Sequence, residues 1–229
     1  MTRPGKTVRV AASGRAEVAG GKPARSSTLR YDGSYRAVLG NDAWRRLKPE
    51  IRSRFSIKPG PGEGIRYTGV MHRVELSFMG WLFAQFCRVF GTPLAPRQGR
   101  NVPMDIELRE DKTIGGVAWH RRYDFHPHEP FTVCSTKRFD SGALTEHIGH
   151  GFSMSLRLVE KQGDLVFVSL GYFVRVAGRR LRIPDWLTPG TTVVRHEQVH
   201  GERFRFALAV EHPFLGRTIY QQGEFRSAP

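Results

Sequence analysis

From about residue 102 onward the chain is a succession of short apolar stretches, each closed by a polar or glycine-containing turn: EDK, FDSG, KQGD, AGRR, VHGER and FLGR. Turns recurring at this spacing describe an antiparallel meander. In FSMSLRL, period-two alternation puts Phe152, Met154, Leu156 and Leu158 on one face; in RFRFALAVEH it groups Phe204, Phe206, Leu208, Val210 and His212. LVFVSLGYFVRV is apolar on both faces and reads as a central strand covered on each side. Eight or nine strands of this kind suffice for a strongly curved sheet or barrel.

What precedes them is different. SYRAVLGNDAWRRLKPEIRSRF carries Val38, Leu39, Trp44, Leu47, Ile51 and Phe55 at helical spacing, with Asn41 or Asp42 as a cap and Pro49 as a break or a new first turn. IRYTGVMHRVEL (65–76) reads as a strand. SFMGWLFAQFCRVFG (77–91) is apolar on almost every face, yet too short to cross a bilayer comfortably. Such a helix is buried, or lies against a membrane or an apolar ligand, and Gly91 and Pro93 end it. The predicted fold is α+β. A large curved antiparallel β-sheet or half-barrel, from about 65 to 226, wraps the apolar helix, and N-terminal helices of 35–55 cover one end.

The length of 229 residues fits one domain plus an appendage. Residues 1–28, rich in Gly, Ala, Ser, Lys and Arg without apolar period, read as a disordered basic tail, leaving 29–229 as a single domain. The net charge of +15 invites a polyanion, either nucleic acid or an anionic membrane. Seven Lys or Arg against Glu17 alone in residues 1–30 account for part of it. Cys87 and Cys134 make no disulfide framework, and the N-terminus lacks the apolar core of a signal peptide, so a cytoplasmic location is expected.

RHEQVHGE (195–202) contains H-E-x-x-H, a zinc signature on helices, where residues four apart stand about 6 Å apart on one face. The flanking TTVV and the alternating GERFRFALAV place it on a strand instead, where the same residues are roughly 13 Å apart. His196 and His200 then cannot share a metal, and Glu197 points to the opposite face. In FHPHEP, His126 and His128 lie close enough to converge on a metal but need a third ligand from elsewhere, such as His147, His150 or His200, so they remain weak metal candidates. EHIGHG (146–151) offers Glu146 with His147 or His150 as an acid–base pair, or else a solvated bend.

GVAWHRRYDF is more informative. Alternation places Val117, Trp119, Arg121, Tyr123 and Phe125 on one face, so the Arg121 guanidinium sits among aromatic and aliphatic groups. A buried guanidinium needs an anion: a structural carboxylate such as Glu146 or Glu160, or the head group of a ligand. IPDWLTP (183–189) reads as an apolar plug that caps the sheet or lines a cavity mouth. No nucleophile elbow, phosphate loop or dinucleotide fingerprint occurs, so no cofactor is expected.

Several of these pieces resemble an uncharacterised bacterial domain-of-unknown-function family, which occurs alone and fused behind saccharopine-dehydrogenase-like NAD(P)-binding domains. They are the helix with Trp44 and Leu47, the apolar helix ending VFGTP, the pair Trp119 and Arg121, and Phe131 to Ser135. Leu144 with Glu146, IPDWLTP, RFRF (203–206) and HPFLGRTIYQQGEF (212–225) complete the likeness, which spans roughly residues 33–226. The resemblance implies no reaction and no catalytic residues; it suggests an oxidoreductase partner. The function expected is a binding module for a hydrophobic or amphipathic anionic small molecule, such as a lipid. Arg121 would meet its head group, and Trp119, Tyr123, Phe83 and Phe86 its apolar body. The alternatives are an enzyme using Glu146 with His147 or His150 on such a ligand, and a basic surface-interaction protein.

Overall fold

The computed structural model describes residues 29–89 and 94–228; the expected basic tail and the Gly91–Pro93 helix end lie outside them. The chain opens with β1 (Arg30–Tyr31), α1 (Ser34–Leu39), α2 (Asn41–Arg46), α3 (Pro49–Phe55) and β2 (Ile57–Lys58), which pairs with β1. After β3 (Gly64–Leu76) and α4 (Phe78–Val89) come the strands β4 (Gly99–Glu110), β5 (Val117–Tyr123), β6 (Phe131–Asp140), β7 (Ala143–Gly149), β8 (Phe152–Lys161) and β9 (Asp164–Val176). The short strand β10 (Arg179–Ile183), a 3-10 turn at Asp185–Leu187, β11 (Thr191–Gln198), β12 (Phe204–His212) and β13 (Gly216–Ser227) complete it.

Ten of these strands close into an antiparallel barrel, from β3 through β9 and β11 to β13, with β10 folded back on β9 as a side hairpin. The expected half-barrel is therefore a full barrel, and the class is mostly β with helices at the ends. A single long-range pairing closes the ring. β13 returns to β3, with Ile219 opposite Leu76. Val168 of β9 faces Arg157 of β8 on one side and Val193 of β11 on the other. Alternation along each strand carries no information about a pairing between the first and last, so closure was not readable from it.

One end is plugged. Tyr35, Trp44, Leu47, Ile51 and Phe55 of α1–α3 are buried, and Tyr35 meets the rings of Phe55, Phe139 and Phe167 at 5.0, 4.8 and 6.2 Å. Pro49 opens α3, whereas α2 is preceded by Gly40, and Asn41 instead accepts a hydrogen bond from Arg36 Nε. The helices are bolted to the β8–β9 turn: Lys48 donates its backbone N–H to Gly163 O and pairs through Nζ with Asp164 at 2.9 Å. Asp164 also takes Arg195 at 2.7 Å, and Arg46 reaches Glu160 at 2.8 Å.

The apolar helix α4 lies at the other end, across the rim rather than in the concave face. The strands' own inward side chains, among them Met71, Phe167, Phe225 and Ile219, already occupy the space a helix would need there. Gly80 makes the close approach possible: a Cβ there would stand 2.0 Å from the carbonyl oxygen of Thr218 in β13. Ser77 N–H donates to that same residue's oxygen, and Ala84 is fully buried beneath the helix.

Candidate functional site

Inside the barrel, between the plug and α4, lies a cavity of about 140 Å³. Its floor carries charge and its mouth does not. On β5, Trp119 and Arg121 point inward. On β6 the same alternation turns Val133, Ser135 and Lys137 inward, and Lys137 sits directly across from Glu146 of β7. Met154 of β8 stands opposite both Glu146 and Tyr172 of β9. The wall therefore follows from strand register alone.

Glu146 is held from three sides. Ser135 Oγ donates to its Oε1 at 2.5 Å, Lys137 Nζ stands 3.2 Å from Oε2, and Arg121 Nη2 lies 3.7 Å from Oε1 while donating to Ser135 Oγ. Of the two carboxylates expected as partners for Arg121, it is Glu146 that fills the role; Glu160 is at the plugged end with Arg46. Burial alone would raise the Glu146 pKa, but the Lys137 and Arg121 cations and the Ser135 hydroxyl outweigh it and hold the carboxyl below its usual range. Burial pulls Lys137 down against the pull of Glu146. Lys137 Nζ is also 4.5 Å from the centre of the Trp119 ring, whose negative face offsets part of the lost hydration.

Two cations thus face one carboxylate at the buried end of the cavity. Three polar atoms beside them have no hydrogen-bond partner: Trp119 Nε1, Arg121 Nε and His196 Nδ1. All three residues line the cavity. His196, from β11, is surrounded by Phe55, Phe167 and Phe206, and burial, followed by the nearby Arg54 and Lys137 cations, keeps it neutral far below its ordinary pKa.

Toward the mouth the lining becomes apolar: Phe83, Phe86 and Cys87 of α4, Ile183, Leu187 and Pro189. Burial pushes the Cys87 thiol up to about 11 and the Tyr172 hydroxyl, bonded to Thr192 at 2.6 Å, up to about 12, so both stay protonated at neutral pH. IPDWLTP is partly the plug expected. Leu187 and Pro189 face the cavity, but the Trp186 ring is exposed. Its backbone is anchored by His212, whose Nδ1 accepts two amide N–H groups, from Phe214 and Leu215, so that its Nε2 donates to Trp186 O. Thr218 Oγ1 ties Pro189 O to the same rim.

Of the residues singled out from sequence, Arg121, Trp119, Phe83, Phe86 and Glu146 come together at this cavity. Tyr123 does not line it: its hydroxyl donates to Gln221 at 2.9 Å, and its ring stacks on Phe125. His147, next to Glu146 on a strand, faces the opposite way, and His150 is exposed in the β7–β8 turn, so neither histidine joins Glu146 at the cavity. His126 and His128 are exposed in the β5–β6 loop, and no cluster of three metal-ligating side chains occurs among the described residues. His196 lies on a strand and His200 in the following turn, while Glu197 faces outward to Arg195 and Arg205. Lys137, Ser135 and His196 were missed as site residues. The alternation of TVCSTK, which turns a lysine toward the same face as Val133, was the available signal for the first two.

The family model for a domain of unknown function, DUF4166, matches residues 47–225. The chain belongs to this family. No curated protein and no solved structure matches the chain. The matched segment of the DUF4166 domain runs from Leu47 in the plug to Phe225 at the end of the barrel, and so includes every cavity-lining residue. It leaves out α1 and α2, which cover the plugged end.

Proposed function

We propose that the barrel is a binding module for an amphipathic anion whose acidic head enters the cavity and whose apolar part lies in the mouth. One observation carries this reading: Arg121 and Trp119, each with a buried side-chain N–H that lacks an acceptor, line a cavity where cations outnumber carboxylates. A buried donor left unmade costs about 1–3 kcal/mol. A carboxylate or phosphate placed between these donors would remove that cost and balance the charge, while Phe83, Phe86 and Leu187 would cover the adjoining chain.

Size narrows the ligand. An enclosed space of about 140 Å³ is comparable to cavities that hold a single benzene ring. It suits a head group and a few carbons, so a longer chain would continue outward past α4. Glu146 fits a charge-balancing role better than acid–base catalysis, because Lys137 and Arg121 keep it ionised and neither His147 nor His150 reaches it. Beside an NAD(P)-binding oxidoreductase domain, as the resemblance suggests for bacterial relatives, such a module would hold the substrate or product of that domain.

The test is native mass spectrometry of the full chain as purified, with a denatured control, alongside the variant Arg121→Gln with Trp119→Phe. The expected result is a co-purifying acid of low mass that the variant loses. A bare protein that also fails to bind a fluorescent fatty acid or an isoprenoid phosphate would overturn the reading.

A further inference from the structure

We infer that the open rim of the barrel docks on an anionic phospholipid bilayer, so that the mouth of the cavity faces the lipid. The inference rests on the reading of the cavity as a site for an amphipathic anion. It begins with α4. The helix turns Gly80 and Ala84 onto the barrel and Phe83 and Cys87 toward the cavity, which would leave a polar outer face in an ordinary surface helix. Instead Phe78, Trp81 and Leu82, at positions i, i+3 and i+4, face water, with Phe78 73 % exposed, and Phe86 at the edge of the cavity mouth is itself 60 % exposed. Phe78 and Trp81 stack on each other at 6.3 Å rather than on the core.

The neighbouring rim segments repeat the pattern. Trp186 is 60 % exposed and Phe214, in the β12–β13 turn, 81 %. These segments are joined by the His212 and Thr218 hydrogen bonds described above, so the apolar groups stand on one braced rim around one opening. Contiguous exposed apolar groups around a cavity mouth mark an interaction surface.

Charge identifies the occupant. Within α4 and the stretches Arg175–Pro189 and Glu211–Arg217, the cations are Arg88, Arg175, Arg179, Arg180, Arg182 and Arg217, and the acids are Asp185 and Glu211. Arg182 is taken by Asp185 at 3.4 Å, while the Arg180 guanidinium lies over the Phe173 ring and the Arg217 guanidinium over Tyr220. Aromatic and aliphatic groups ringed by arginines match a bilayer interface with acidic head groups: rings enter at the head-group level, and guanidinium groups stay with the phosphates. A partner protein would need a complementary shape, whereas a bilayer accepts apolar tips that project from several segments of one rim. A short cavity then suffices, because the head of a membrane amphiphile can rise into it while the tail stays in the bilayer.

The test is co-sedimentation of the full chain with phosphatidylcholine vesicles, with and without phosphatidylglycerol, followed by tryptophan emission. Binding to the acidic vesicles only, with a blue shift from Trp81 and Trp186, is expected. Trp81→Ser with Trp186→Ser, and separately Arg175→Glu with Arg179→Glu, should each weaken binding about tenfold or more while leaving the thermal transition in place. No binding, or binding unchanged in both variants, overturns the inference; so does a rim-dependent dimer in sedimentation without vesicle association. Native mass spectra of the same variants keep the two readings apart. A rim variant that retains its ligand but no longer sediments separates docking from cavity binding. A chain that sediments but carries no ligand leaves docking standing without the cavity reading.

Discussion

Lys137 Nζ lies 3.2 Å from Glu146 Oε2, with the two side chains only 11 % and 7 % exposed, directly across the β6–β7 ladder. The pair brings a full negative charge into the barrel and surrounds it with more positive charge than it can balance. Removing the carboxylate while keeping its shape should expose that imbalance. Glu146→Gln is expected to lower unfolding stability by about 3–5 kcal/mol, the usual cost of orphaning a buried charge, as read from denaturant midpoints. The loss should shrink when a fatty acid or isoprenoid phosphate is added, since the ligand's own anion would replace the lost one.

Acid should weaken the fold in two stages. The folded chain keeps His196 neutral, whereas the unfolded chain protonates it near pH 6.5, so the unfolded state binds more protons below that value. Stability therefore falls as pH drops below about 6.5, by about 1.4 kcal/mol per unit for this one residue. Glu146 acts lower down: its folded pKa is depressed, so its contribution is complete above the ordinary carboxylate range and disappears as pH falls through the folded value. Denaturant midpoints of His196→Leu across this range should show the first stage flattened and the second intact.

Gly80→Ala should loosen the rim while sparing the barrel. The added Cβ meets backbone at Thr218, which cannot rotate away, so α4 must lift off β13. The expected signature is faster amide exchange in α4, with the slowest-exchanging barrel strands changed by far less. A uniform loss across all strands would contradict the separation of rim and barrel.

Trp119→Phe removes a donor that has no acceptor in the unliganded protein. Its effect on unliganded stability should be small, while the affinity for an acidic ligand should fall roughly tenfold, about the worth of a hydrogen bond to a charged group. Calorimetric titration with an isoprenoid phosphate measures the second, and thermal denaturation without ligand the first.

Much of the architecture was legible because strands and their faces are local properties. Phe204, Phe206, Leu208 and Val210 are buried together on β12, as their alternation requires, and the strand reading of His196 held for the same reason. The pairing distant in sequence was not legible: β3 with β13 turns an open meander into a barrel. Closure also displaced α4 to the rim, since the space a half-barrel would have offered it was already filled. The site followed the same division. Arg121 and Trp119 were identified from the face they share. Lys137 was hidden because a lysine in a strand ordinarily turns to water, and only the cross-strand position of Glu146 makes it an interior residue. Tyr123 shares that face too, but its hydroxyl meets Gln221, on a strand far away in sequence.

The side hairpin has a consequence for self-association. Because the barrel closes, each of its strands is paired on both sides, and β10 alone in that sheet keeps a single partner. Growth of that sheet by strand addition between copies would have to begin on that short edge. Arg179, Arg180 and Arg182 occupy three of its five positions, so two such edges brought together would set like charges against each other. Concentrated protein should accordingly stay dispersed, and neutralising these three arginines should seed fibrils at β10 before anywhere else in the barrel.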